Sequence, residues 1–215
     1  MLRTCATKRS TPRLCSVIAV FASLIVPALA ERGLPSAVPN TLSVAVLPQE
    51  QYSAFMIQEM TREVSRIMRE SGLKIDWHLG AGQKVFDEPL AVVKLTGTCD
   101  MNVPARTSGK TGPLGWTHSA DGKLLPFSEV ACDNIRHAVK LEMRNEDWTR
   151  GNEILGRAAG RVLAHELFHI VAATTEQTSA GVSTPALTPA ELLSDRRDFD
   201  PAGIELIQDR LHGTR

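Results

Sequence analysis

Residues 148 to 173 carry a helical pattern that is apolar nearly all the way round. Past positions 151 to 153 its only strongly polar residues are Arg157, Arg161, His165, Glu166 and His169. A helix of this kind has to be buried on most sides, so the rest of the chain must supply layers that enclose it. Gly156 and Gly160, one turn apart beside Ala159, read as places where a neighbouring element comes close, a packing role.

The chain opens with Arg3, Lys8, Arg9 and Arg13 and no acidic residue, followed by an apolar stretch over 16–30 that closes on Ala28-Leu29-Ala30. That is the layout of a secretory signal peptide, its apolar part too short to span a bilayer comfortably. An uncleaved anchor helix is the alternative; a lipid anchor fits poorly because Cys15 precedes the apolar run. With residues 1–30 set aside, 185 of the 215 residues remain as one domain over 31–215, enough to bury one core. Four of the 24 basic residues lie in the leader, leaving 20 against 24 acidic. Nothing in that balance points to a nucleic-acid partner or, once the leader is cleaved, to a membrane. The expected location is secreted or periplasmic.

Cys5 and Cys15 belong to the leader, so the domain keeps Cys99 and Cys132. In an exported protein these are expected to form a disulfide, stapling an intervening segment rich in Gly and Pro. Neither lies in a CxxC pair, so a metal role has no support.

Residues 41–47 read as a strand. A helix over 49–71 follows, with Tyr52, Phe55, Met56, Met60, Val64, Ile67 and Met68 at helical spacing, a stripe that reads as core, and with Gly72 just past its end. Strict alternation over 73–79 predicts a strand with one wet face, with Leu73, Ile75, Trp77 and Leu79 inward. Residues 90–98 predict a more buried strand. Segments 114–119 and 123–127 flank Ala120-Asp121-Gly122, and Asp-Gly is a strong hairpin signal. A fifth strand is expected to run through 130–141. Two shorter helices close the chain, over 188–196 and 200–212, each opened by a cap residue and a proline, Thr188-Pro189 and Asp200-Pro201.

The chemistry concentrates in His165-Glu166-Leu167-Phe168-His169. Four residues of separation set the two imidazoles one turn apart on one helix face, where both reach a single zinc ion. Glu166, about 100° further round, stands where a general base takes a proton from water acidified by the ion and passes it to a leaving amine. The plainer reading, an accidental trio satisfied by core hydrogen bonds, has to bury three polar groups within five residues at a few kcal/mol each if unpaired.

The stretch Leu163-Ala164-His165-Glu166-Leu167-Phe168-His169 resembles the active-site helix of zincin metalloproteases, and residues 160–175 resemble those of secreted bacterial zincins. The specific match covers under a tenth of the chain. The resemblance implies an α+β, zincin-like fold: a twisted mixed sheet with a backing helix, then the buried active-site helix and a small helical C-terminal part. It also implies Zn2+ as cofactor, hydrolysis of peptide bonds, and a peptide or protein substrate.

The third zinc ligand departs from some family patterns. Ala172 and Thr175 stand where a metzincin has glycine and histidine, and the last methionine is Met143. The gluzincin pattern is closer: such enzymes take a glutamate from a second helix, often as Glu-x-x-x-Asp, and Glu191-Leu192-Leu193-Ser194-Asp195 stands at a suitable distance. Glu191 is then the ligand, and Asp195 supports a zinc-bound histidine. Thr188-Pro189-Ala190-Glu191 is also a capping box, which competes for the same carboxylate. Glu176 is the rival ligand; some secreted bacterial zincins place a histidine near there, where this chain has Gln177.

A donor for the developing oxyanion is also needed. His118, on the hairpin, is the residue to name, against a plain surface histidine. The segment 114–118 could pair with an extended peptide as an added strand. Two other classes stay open. One is a binding module that keeps the shape without turnover; the other is a zinc hydrolase of non-peptide amides.

Overall fold

The computed structural model of the chain describes residues 40–49, 51–80, 90–104 and 112–213, all within the unit Pro35–Arg215. The leader expected over 1–30 lies outside them. Five strands, β1 (Thr41–Pro48), β2 (Lys74–Leu79), β3 (Leu90–Thr96), β4 (Gly115–Ala120) and β5 (Lys123–Ala131), form one sheet in the order β2-β1-β3-β5-β4. β2, β1, β3 and β5 run parallel, and β4 lies antiparallel on β5 at the edge. The fold is thus α+β with a mixed sheet. β3 is central, as its apolar run requires: Ala91, Val93 and Leu95 are buried.

Helix α1 (Ala54–Arg69) begins where Ser53 accepts a hydrogen bond from the Met56 N–H. Its buried face carries Met56, Met60, Val64, Ile67 and Met68, the stripe read from the sequence. Tyr52 lies ahead of the helix in a bridge with Cys99, and Phe55 is exposed. Gly72 turns the chain at φ 87°, a conformation that favours glycine. In β2, Leu79 points to solvent although alternation placed it inward.

The Asp-Gly hairpin forms as expected: Asp121 and Gly122 take φ 51° and 74°, the left-handed pair of a turn that matches strand twist. The strand expected through 130–141 does not exist. β5 ends at Ala131 and the chain passes straight into helix α2 (Cys132–Glu142), which buries Cys132, Ile135, Arg136 and Val139 at helical spacing. Cys132 is bonded to Cys99 with Cα atoms 5.1 Å apart, so the expected disulfide staples the first turn of α2.

A 3-10 segment (Asn145–Arg150) precedes helix α3 (Gly151–Ala172), which therefore starts three residues later than the sequence pattern suggested. α3 packs along α1 and over β5 and β4. A Cβ at Gly156 would sit 2.6 Å from the Met56 carbonyl, and one at Gly160 2.9 Å from that of Met60. These glycines set the helix spacing, the packing role read for them. The chain closes with α4 (Pro189–Leu193), shorter than expected, and α5 (Pro201–Leu211), capped by Asp200.

Arg161 holds this C-terminal part to α3. Its guanidinium is fully enclosed; Nε donates to Glu63 at 3.0 Å and the Nη groups to the carbonyls of Glu191, Leu192 and Ser194 at 2.6–3.0 Å. Those are the end carbonyls that a helix as short as α4 leaves without partners. Arg66 pairs with Glu63 and Asp198, extending the network to the segment before α5.

Candidate metal centre

α3 ends at Ala173, which takes the left-handed conformation (φ 50°, ψ 40°), a strained choice for a residue with a Cβ. The turn brings the Thr174 carbonyl back over the last turn of the helix, where His169 Nδ1 donates to it at 2.8 Å. The chain then loops through Thr178 and Ser183, whose hydroxyls meet at 2.6 Å. Val182 is anchored by its N–H to the Asp198 carbonyl at 2.9 Å, and its own carbonyl accepts from His165 Nδ1 at 2.8 Å.

A carbonyl only accepts, so both Nδ1 atoms carry protons. Neutral imidazole has one N–H, which leaves a lone pair on each Nε2, and these two atoms face each other at 3.1 Å. Two bare acceptors at that distance repel unless a proton or cation lies between them. Burial lowers the His165 pKa, against the Val182 carbonyl, and a positive charge on His169 would lower it further. Zinc held by nitrogens at about 2.0–2.1 Å in tetrahedral geometry separates them by about 3.3 Å. The pair therefore fits such an ion, with the carbonyl clamps fixing the tautomer, as ligating histidines require.

Glu166 is 6% exposed. Burial pushes its carboxyl up to about 7, against the Thr117 hydroxyl, which donates to Oε2 at 2.7 Å. Thr117 lies on β4 and also meets Ser128 of β5 at 2.9 Å. The approach of α3 to this edge depends on Gly115: a Cβ there would stand 2.8 Å from Val162 Cγ1 and 3.0 Å from Glu166 Oε1. His165 and Glu166 open together onto a cavity of about 460 Å³, walled by residues 112–115 ahead of β4, one face of α2, and the segment 184–187.

The other expected residues lie elsewhere. Glu191 is committed to the capping box of α4: Oε2 accepts from the Thr188 N–H and hydroxyl at 2.8 and 2.9 Å, and Oε1 pairs with Arg197 at 2.7 Å. The Thr188 N–H, more than any other group, holds this carboxylate below its usual range. Glu176 lines a separate cavity of about 300 Å³ with Leu206 and Arg210. Asp195 supports neither histidine, since backbone carbonyls hold both Nδ1 atoms. Among the described residues, no group of three His, Cys, Asp or Glu gathers to hold a metal. His118 faces the other side of the sheet from Thr117, against Glu129 at 3.2 Å and the Phe127 ring.

Sequence reasoning missed Thr117, Gly115 and the two carbonyl clamps. Gly115 alone left a trace, as a glycine opening a strand. No protein-family model matches this chain, and no curated protein matches it significantly.

Proposed function

We propose that this protein is an exported zinc-dependent metallopeptidase of zincin-like architecture. The observation that carries the reading is the His165–His169 pair, with Nε2 atoms 3.1 Å apart and both Nδ1 atoms clamped by carbonyls, of which His165 opens with Glu166 onto one cleft. The mixed sheet and the helix pair against it agree with the layout that the zincin resemblance implies. The disulfide suits an oxidising compartment.

His165 and His169 would hold the ion. When bound, zinc supplies Lewis-acid polarisation of a carbonyl and acidification of water. Glu166, with its carboxyl brought near neutrality by burial, takes a proton from the attacking water and returns it to the departing amine. Thr117 fixes which way that carboxyl points. The outer edge of β4 offers backbone groups to an extended peptide, and the cleft beside it is lined largely by apolar groups.

One observation favours a second reading. Both oxygens of Glu191 are engaged by Thr188 and Arg197, so the site gains no third ligand from α4, and a catalytic zinc commonly has three protein ligands. A metal-binding module without turnover fits that state. Zinc stoichiometry by elemental analysis, with casein hydrolysis on the same samples, separates the two for wild type, His169→Ala, Glu191→Ala and Glu176→Ala. One zinc per chain, lost in His169→Ala, with hydrolysis abolished by a chelator, supports the peptidase. Zinc without hydrolysis supports the module, and no zinc in the wild type refutes both.

A further inference from the structure

Helix α2 is the cleft wall for which the proposed chemistry has no use. Asn134, His137, Ala138 and Leu141 line the cavity from it, at i, i+3, i+4 and i+7, one helical face. Leu141 is 67% exposed and marks the mouth. Asn134 is tied down, its side-chain N–H donating to the Pro113 carbonyl at 2.8 Å, so it braces the strand approach to the helix. His137, between them, makes no hydrogen bond to any described residue and is half-buried in a wall otherwise made of Leu114, Ala138, Leu141 and Val162. A ring nitrogen that no protein group engages is left to water in the open cleft, and a ligand that displaces that water must supply its own hydrogen bond. Cavities that bind small groups have this composition, apolar walls with a few placed polar atoms.

We infer that His137 is a specificity-determining residue: it hydrogen-bonds the tip of a substrate side chain whose apolar stem lies along Leu114, Ala138 and Val162. The class selected is a peptide carrying a residue with an apolar body and a hydrogen-bonding end, tyrosine in preference to phenylalanine. A site built around such a bond rejects the analogue that lacks the hydroxyl, because the imidazole then stays unpaired. This deepens the peptidase reading and rests on it for the word substrate, but the recognition itself needs only the cavity.

The test is binding of N-acetyl-glycyl-tyrosine amide and N-acetyl-glycyl-phenylalanine amide to the full chain, zinc-loaded and chelator-treated, by NMR chemical-shift titration. Wild type should favour the tyrosine probe about tenfold in both states. His137→Leu should bring the ratio to about one while keeping phenylalanine affinity, and His137→Gln should restore part of the preference. An unchanged ratio in His137→Leu overturns the inference, as does equal weakening of both probes, no preference in the wild type, or no binding of either. Casein hydrolysis on the same samples keeps the two readings apart. Tyrosine preference without hydrolysis removes the peptidase and leaves His137 standing, while hydrolysis without preference does the reverse.

Discussion

The Thr117 hydroxyl stands 2.7 Å from Glu166 Oε2 and joins the edge hairpin to α3. Its loss should act on turnover and leave the metal alone. Thr117→Val is expected to lower kcat roughly 10- to 100-fold, the range of one hydrogen bond to a charged group at about 1.5–3 kcal/mol. KM and zinc content should be unchanged, and Thr117→Ser should restore most of the rate. Equal rates for the Val and Ser variants would show that the hydroxyl does not orient Glu166.

Gly115 leaves no room for a methyl group between β4 and α3. Gly115→Ala should destabilise the protein by about 1–3 kcal/mol, as overpacking does, read as a lower urea midpoint. A wild-type midpoint would mean that the helix can give way by the needed few tenths of an ångström.

Arg161 is the one charge wholly enclosed in α3. Arg161→Met leaves the carbonyls of Glu191, Leu192 and Ser194 and part of Glu63 without partners, for a loss of about 3–5 kcal/mol. Hydrogen exchange should show residues 182–196 opening first.

The same network sets an acid limit. Burial alone would raise the Glu63 carboxyl, but hydrogen bonds and charge from Arg66 and Arg161 outweigh it and hold it below its usual range; Asp198 is held low in the same way by Arg196 and Arg66. A carboxylate with a depressed folded-state pKa stabilises the fold above its unfolded value, about 4.3 for Glu and 3.9 for Asp. That stability is lost as pH falls through the folded value. Unfolding midpoints should therefore drop below about pH 4, and Glu63→Gln should be less stable at pH 7 with a flatter acid limb. A limb as steep as wild type would assign the acid loss to other groups.

Cys99 and Cys132, 33 residues apart, should contribute about 3–4 kcal/mol through the unfolded chain. The Cys99→Ser/Cys132→Ser double variant tests this by its midpoint in denaturant. A drop under 1 kcal/mol would show that α2 is held by packing alone.

Much of the frame could be read in the sequence because period and punctuation agreed. The stripe from Met56 to Met68, the Asp121-Gly122 turn and the capped prolines at 189 and 201 each encode their element locally. The strand expected at 130–141 failed because β5 runs into α2 at Ala131 with no glycine, proline or side-chain cap to mark the change. The motif itself was legible, since i and i+4 share a helix face. Its supports were not: two of them are backbone carbonyls, which carry no residue signature, and Thr117 comes from 49 residues away. Glu191 had two roles open to it, and the capping box won because α4 begins there.

The two clamps on the histidines arise within a short reach of chain, 5 and 17 residues from the imidazoles they hold. The hydroxyl that aligns Glu166 arrives only when a distant hairpin docks. Contacts close in sequence form with little loop-closure entropy, so the histidine pair can be assembled by one helix and its return loop while the sheet is still incomplete. Under the metallopeptidase reading proposed above, a partly opened chain would hold the histidine pair in place before Glu166 is aligned, so metal binding would precede turnover in the order of assembly.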